Sequence, residues 1–290
     1  MNAQQAVELY PVNEWISPSG RACSPIKIQE RDYSIDMVSQ AEIQRYVPHT
    51  LDSLSKAALM SRVDTKFLVP ARMLGDLLAV MRSSYSILEI DGQRSFDYLT
   101  TYYDTPQYTH YLAHHNGRCN RFKIRKRSYV ASGSSFLEVK IKDNRKRTTK
   151  SRVPCNAHWQ KLDSPSLHFL TSKGIADPDK LNAVQTGRYK RLALANEARG
   201  ERLTIDCNLS FRDESSGSYY QLGSWVVVEV KQDVMDRQSA FFAWADKQGL
   251  REVSFSKYCM GVYFTGAQSI KRNNFHPVAH HLKCRQLGVS

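Results

Sequence analysis

The sequence predicts an α+β fold in which antiparallel strands curl into a barrel with a charged interior and helices pack outside. Three observations carry that expectation. Several segments alternate apolar and polar residues with period two, others repeat apolar residues with the helical period, and the polar faces of the alternating segments concentrate Arg and Lys with a few isolated carboxylates. At 290 residues, 41% hydrophobic and 24% charged, the chain is long enough to bury one sizeable core and reads as one large domain.

Residues 1 to 40 mix Pro, Ser, Gln and charges without a period, and read as a tail or arm. From Pro70 to Met81 an amphipathic helix is expected, because Met73, Leu74, Leu77, Leu78 and Met81 share one face and proline suits the first turn. Arg121 to Arg127 reads as a strand with Arg121, Lys123, Arg125 and Arg127 on one face and Phe122 and Ile124 on the other. Phe136 to Lys142 sets Glu138, Lys140 and Lys142 against Leu137, Val139 and Ile141. Asp177-Pro178, followed by Leu181 and Val184, reads as a helix start. Leu203 to Phe211 sets Thr204, Asp206, Asn208 and Ser210 against Leu203, Ile205, Cys207, Leu209 and Phe211. Trp225 to Lys231 sets Glu229 and Lys231 against Val226, Val228 and Val230. Asp236 is a candidate cap for a helix through Phe241, Phe242 and Ala245 that stops near Gly249, and residues 267 to 290 read as a second, basic tail with Lys271, Arg272, Lys283 and Arg285.

Each strand alone reads as half-buried, with one wet face. Together their cationic faces fit better pointing into a bore, where such crowding is stable only around an anion or a metal–anion complex. The ligand expected is dense in negative charge and narrow.

Lys and Arg number 41 against 28 Asp and Glu, giving a net charge of +13 and a pI near 9.5, which points to a polyanionic partner. No apolar stretch approaches the ~18 to 20 residues a membrane span needs, and the first fifteen residues lack the basic and apolar regions of a secretory leader. Cys23, Cys119, Cys155, Cys207, Cys259 and Cys284 are scattered without a CxxC pair, as expected of reduced thiols in a cytoplasmic protein.

Neither GxxxxGK[ST] nor GxGxxG occurs, so phosphate would be held by side chains, by the arginine fork and the compact lysine charge. A divalent ion, Mn2+ or Mg2+, is expected to bridge phosphates and a carboxylate. His110 and His114 lie at i,i+4 spacing without HExxH, and His280 and His281 lie in the expected tail; each pair reads as exposed or capping rather than metal-binding. There is no GxSxG elbow and no evident His-paired cysteine nucleophile.

The blocks Arg62-Val-Asp-Thr-Lys-Phe67, Tyr102-Tyr-Asp-Thr105, Asn120 to Tyr129, Phe136-Leu-Glu-Val-Lys140, Lys150-Ser-Arg152, Leu203-Thr-Ile-Asp206, Val228-Glu-Val-Lys231 and Phe255-Ser-Lys-Tyr258 occur in that order. They resemble the VTC (vacuolar transporter chaperone) polyphosphate polymerase domain, a branch of the triphosphate tunnel metalloenzymes, or CYTH superfamily. The resemblance runs from about residue 42 to 264 and sets the expected domain at 41 to 266. It implies an eight-stranded antiparallel tunnel that transfers the terminal phosphoryl group of ATP to a growing inorganic polyphosphate. By motif position Lys66 resembles the first basic triphosphate ligand, Arg125 and Arg127 the Arg-x-Arg pair, and Lys140 and Lys150 the next basic ligands. Tyr189 and Arg191 resemble the Tyr-x-Arg pair, Glu229 the metal-binding glutamate, and Ser256 and Lys257 the Ser-Lys at the far end of the phosphate site.

With the cationic strand faces, this gives a candidate site in which Arg125, Arg127, Lys140, Arg191 and Lys257 are catalytic. Arg62, Lys66, Arg121, Lys123, Lys142, Lys150, Arg152, Tyr189, Lys231 and Ser256 bind substrate, and Glu229, Glu138 and Asp206 bind metal. Asp64, Glu138 and Asp206 serve equally well as internal ion-pair partners, and Arg62 and Lys231 as their counterparts. Two departures are visible: Arg62-Val-Asp-Thr-Lys66 replaces the ExExK of the generic tunnel enzymes, which favours the polymerase branch, and Ser254-Phe-Ser-Lys257 has one cation fewer than the Lys-Phe-Ser-Lys of the eukaryotic polymerases. A triphosphatase using water, or a non-catalytic polyphosphate or nucleic-acid binding module, are the competing readings. Cations interleaved with carboxylates on strand faces disfavour nucleic acid, whose sites combine an outer basic patch with exposed aromatics. A membrane-protein partner for polymer export is compatible with the polymerase reading.

Overall fold

The computed structural model describes residues 37–51, 63–145, 147–156, 161–266 and 269–286. In chain order these form α1 (Met37–Gln44), β1 (Pro48–His49), β2 (Val63–Pro70), α2 (Leu74–Met81), β3 (Ser86–Leu88), β4 (Phe96–Asp104), α3 (Thr109–His115), β5 (Arg121–Tyr129), β6 (Ser135–Lys142) and β7 (Thr148–Pro154). There follow α4 (Ser164–Ser172), β8 (Asn182–Asn196), β9 (Glu201–Asp213), β10 (Tyr219–Leu222), β11 (Trp225–Gln232), α5 (Ala240–Lys247), α6 (Lys257–Thr265) and α7 (His276–Gln286).

Eight strands pair antiparallel in the order β2-β11-β9-β8-β4-β5-β6-β7, with β1, β3 and β10 attached at the side. Period two places Phe67, Val69, Val226, Val228 and Val230 on the outer face, where they pack against Leu74, Leu77, Leu78 and Met81 of α2 and Phe241 and Phe242 of α5. The outer face of β5 and β6, through Ile124, Leu137 and Val139, is covered by Leu170 of α4.

Four expectations change. First, the path ends at β2 and β7, and among the described residues no ladder joins them where the expected barrel would close. β7 is largely exposed and carries Lys150 and Arg152, the charged edge that resists further pairing. Second, Pro178–Lys180 makes only one 3-10 turn, without a side-chain cap, and Val184 belongs to β8. A fifteen-residue strand bonded to β4 and β9 outweighs a two-residue helical spacing. Third, Asp236 accepts from the Gln238 amide just ahead of a turn, and α5 starts later, after Ser239. Fourth, the segment expected as a basic tail contains α7. Ala279 and Leu282 are fully buried, and the Trp225 indole donates to the Leu282 carbonyl at 3.2 Å. Two small apolar contacts among His, Lys and Arg left little periodic signal.

Helices do not pack only outside. On the inner face Asp64 and Lys66 give way to Leu68, and Lys231 and Glu229 to Val227 and Trp225. There Phe255, Met260 and Tyr263, with Ala279 and Leu282, close one end of the bore. A bulge completes the closure: Asn208 takes φ +52°, Lys190 pairs with Cys207, and Arg188 pairs with Ser210, so two residues of β9 oppose Tyr189. Leu209 and Phe211 therefore join this inner cluster, while Leu203, Ile205 and Cys207 stay in the outer core.

A cationic candidate active site on the inner face

Register assembles the site. Arg125 pairs with Glu138 and Tyr102, Lys123 with Lys140, and Arg121 with Lys142. Lys140 pairs with Lys150 and Glu138 with Arg152. On the other wall Arg191 pairs with Asp206, and Glu229 with Lys66 and Thr204. Since directly paired residues share a face, all these side chains lie on the inner face. The walls meet electrostatically: the Lys140 ammonium is lowered first by desolvation, and beyond that Asp64, Lys66 and Glu229 of the opposite wall all act on it. Lys140 as a residue is nevertheless exposed, so these charges across the bore say more than its desolvation does.

Three carboxylates are each shared among cations. Glu138 accepts from Arg125 at 2.7 Å, with Lys150 at 2.6 Å and Arg127 at 4.0 Å. Burial acts to raise Glu138, but Arg125, Arg127 and Lys150 outweigh it and hold the acid at about 2. Asp206 accepts a two-pronged bond from Arg191 at 2.6 and 2.8 Å, and a further bond from Lys257. Burial again opposes these cations and loses, so Asp206 lies well below the usual carboxylate range. Glu229 contacts Lys231 at 2.8 Å and Lys66 at 3.4 Å.

An aromatic pair lies between the walls. Tyr98 and Tyr189 stack with centroids 5.3 Å apart, and the Arg191 guanidinium lies 5.1 and 5.4 Å from the two rings. The Tyr189 hydroxyl is buried with no hydrogen-bond partner, and although burial acts to raise it, Arg127, Arg191 and Lys257 bring it below its ordinary value. A buried orphan hydroxyl facing cations suits an anionic ligand.

Helix α6 enters the site by its N-terminus. Ser256 caps it by accepting from the Cys259 amide, and Lys123 donates to the same hydroxyl at 2.9 Å. Burial first, then Arg125, Lys140 and Lys66, pull Lys123 down to about 7.

The structure thus brings together Lys66, Lys123, Arg125, Arg127, Glu138, Lys140, Lys150, Tyr189, Arg191, Asp206, Glu229, Lys231, Ser256 and Lys257. Arg121 and Lys142 lie on the same face where β5 begins and β6 ends, and Arg152 lies beside Glu138 on the edge strand β7. Arg62 lies outside the described residues. No group of three or more His, Cys, Asp and Glu converges among the described residues. Asp206 and Glu138, with side chains 1% and 2% exposed and oxygens engaged by cations, have the arrangement of internal counter-ions, the alternative their sequence positions left open. Glu229 is engaged at both oxygens as well, by Lys231 at 2.8 Å and Lys66 at 3.4 Å, but at 20% side-chain exposure it is the most open of the three.

Sequence reasoning missed Tyr98 and Tyr102, although Phe96, Tyr98, Thr100 and Tyr102 alternate in β4. It also missed a His-paired thiol: Cys259 Sγ lies 3.1 Å from His114 Nδ1, a contact across 145 residues with no local signal. Burial, then Lys123, Arg121, Lys142 and Lys140, lower His114 to about 3 and keep it neutral.

A family model described as the VTC domain matches residues 61–265. Among solved structures, a protein from Hippeastrum described as an adenylyl cyclase with a dominant triphosphatase activity is 15% identical, with 71% of this chain and 97% of that chain covered and a TM-score of 0.47. A provisionally assigned adenylate cyclase from Bacillus halodurans is 13% identical over 68% of this chain and 94% of that one, with a TM-score of 0.43. A further provisional adenylate cyclase, from Vibrio parahaemolyticus, is 16% identical over 69% and 97%, with a TM-score of 0.41. Likenesses this weak add no argument about activity. No curated protein matches the chain.

Proposed function

The chain belongs to the VTC domain family, and from that premise we propose that it transfers the terminal phosphoryl group of ATP to the end of an inorganic polyphosphate held on the cationic inner face. The observation that carries this reading is the convergence of Arg125, Arg127, Lys150, Arg191 and Lys257 around only two buried carboxylates, Glu138 and Asp206. A surplus of positive charge crowded on one largely buried face is offset by an anion, and guanidinium forks suit phosphate oxygens.

Catalysis here is positioning and charge neutralisation. Arg125 and Arg127 hold one side of the donor phosphates, and Arg191 and Lys257 hold the other, with Lys123 and Lys140 further along β5 and β6. The Glu138 and Asp206 carboxylates keep the guanidiniums aimed before substrate arrives. A polyphosphate terminus is already ionised near neutral pH, so attack needs no strong general base. Glu229, the most exposed of the three carboxylates, would hold Mn2+ or Mg2+, and a bound ion supplies neutralisation of phosphate oxygens.

One observation favours a second reading. The bore is filled at one end by Phe255, Met260, Tyr263 and Leu282, which disfavours threading a polymer through that end and suits a triphosphatase with water as nucleophile. Incubation with ATP and Mn2+ separates the two. Long chains on a polyphosphate-stained gel, with matching ADP and loss in Arg127→Ala, support the polymerase. Orthophosphate without polymer supports the triphosphatase, and turnover unaffected by Arg127→Ala overturns both.

A further inference from the structure

The inner face changes character toward the end opposite α6. Along β5 it reads Arg121, Lys123, Arg125, Arg127 and then Tyr129, which pairs with Tyr98 of β4, while Arg127 pairs with Phe136 of β6. These rings meet edge to face, Tyr98 to Tyr129 at 5.1 Å and Tyr129 to Phe136 at 6.0 Å. The Arg152 guanidinium lies 4.8 Å over Phe136.

Two features distinguish this group from the apolar closure at the other end. Tyr129 and Phe136 are only half-buried, whereas Phe255, Met260 and Tyr263 are buried. Their neighbours are also phosphate-type ligands: Arg127 lies one step deeper on β5, with its guanidinium 5.5 Å from the Tyr98 ring. From Tyr129 to Lys123 the strand runs about 20 Å at ~3.3 Å per residue, enough for a base, a sugar and three phosphates in line.

We propose that Tyr129, Phe136 and Arg152 form a nucleobase subsite, so that the nucleotide lies base-outward with its terminal phosphate pointing toward Lys123 and the N-terminus of α6. This deepens the nucleotide-binding reading above and rests on it. Aromatic faces and a planar guanidinium stack on any base. The subsite therefore distinguishes a nucleoside triphosphate from inorganic triphosphate, rather than one base from another. The reverse orientation would place the base against the filled end of the bore.

The test is calorimetric titration of the full chain with ATP and, separately, with inorganic tripolyphosphate, for the wild type, Tyr129→Leu and Phe136→Leu. Leucine keeps apolar volume in place and removes the stacking face; thermal melts verify folding. The subsite requires that ATP binding weaken roughly tenfold, the scale of one lost stacking contact, while tripolyphosphate binding stays within about twofold. Equal changes for both ligands, or no change for either, overturn the subsite and leave the phosphate site standing. A wild type that binds neither ligand overturns both.

Discussion

Lys123 illustrates how the site stores its need for an anion. It donates to Ser256, faces Arg125, Lys140 and Lys66, and is pulled by burial and these cations from 10.5 to about 7. A base whose folded value lies below its unfolded value weakens the fold while charged: the penalty is complete below pH 7 and is relieved as pH rises from 7 toward 10.5. An anion beside Lys123 reverses this by restoring the charged form. Tripolyphosphate binding at pH 8 is therefore expected to take up protons, measured by calorimetry in buffers of different ionisation enthalpy. Lys150, brought down to about 8 first by burial, contributes too, so Lys123→Met should reduce the uptake without abolishing it. Identical uptake in the variant would remove Lys123 from the site. The cations were legible in the sequence because alternation alone puts Arg121, Lys123, Arg125 and Arg127 on one face. Their counter-ions were not, because choosing between Glu138 as metal ligand and as the partner of Arg125 and Lys150 needs the register of β5, β6 and β7.

At the scale of elements, α6 decides whether the site exists. Its N-terminus supplies Ser256 and Lys257, Tyr258 donates to Asp104 at 2.6 Å, and Asp104 also accepts from the amides of His110 and Tyr111 at the start of α3. The helix lies close to β8 because residue 261 is glycine. A Cβ there would come within 2.4 Å of the Gln185 amide group, which is fully buried and donates to the Thr186 carbonyl. Gly261→Ala should therefore push α6 off the sheet. It is expected to cost about 1 to 3 kcal/mol of stability and to weaken tripolyphosphate binding through displaced Lys257. A variant with unchanged melting temperature and affinity would mean that Gln185 yields freely. Sequence periodicity found α2 and the strands, where one face is apolar along a whole element. It could not place α6, most of whose residues are buried on more than one side, nor the Asn208 bulge, which exchanges the two faces of β9 midway.

On the scale of the molecule, the cations that suit a polyanion also line the two ends of the sheet. Among the described residues no ladder joins β2 and β7, and each brings cations, Lys66 beside Glu229 on one side and Lys150 beside Glu138, with Arg152, on the other. Four strands and their cationic faces followed from alternation, and the count of eight antiparallel strands from the resemblance to the VTC domain. The lack of a β2–β7 ladder among the described residues did not, because pairing between two edges distant in sequence is encoded by neither strand alone. A multivalent anion lying between Lys66 and Lys150 would attract both edges and should draw β7 inward. Amide hydrogen exchange in Thr148–Pro154 is thus expected to slow when tripolyphosphate binds, with the effect fading at high salt as screening weakens the charges. Amides of β8 and β9, already bonded to neighbours on both sides, should change little. Equal protection of β7 with and without the anion would show that the ligand spans only the Arg125–Arg191 side of the bore, away from the β2 and β7 edges.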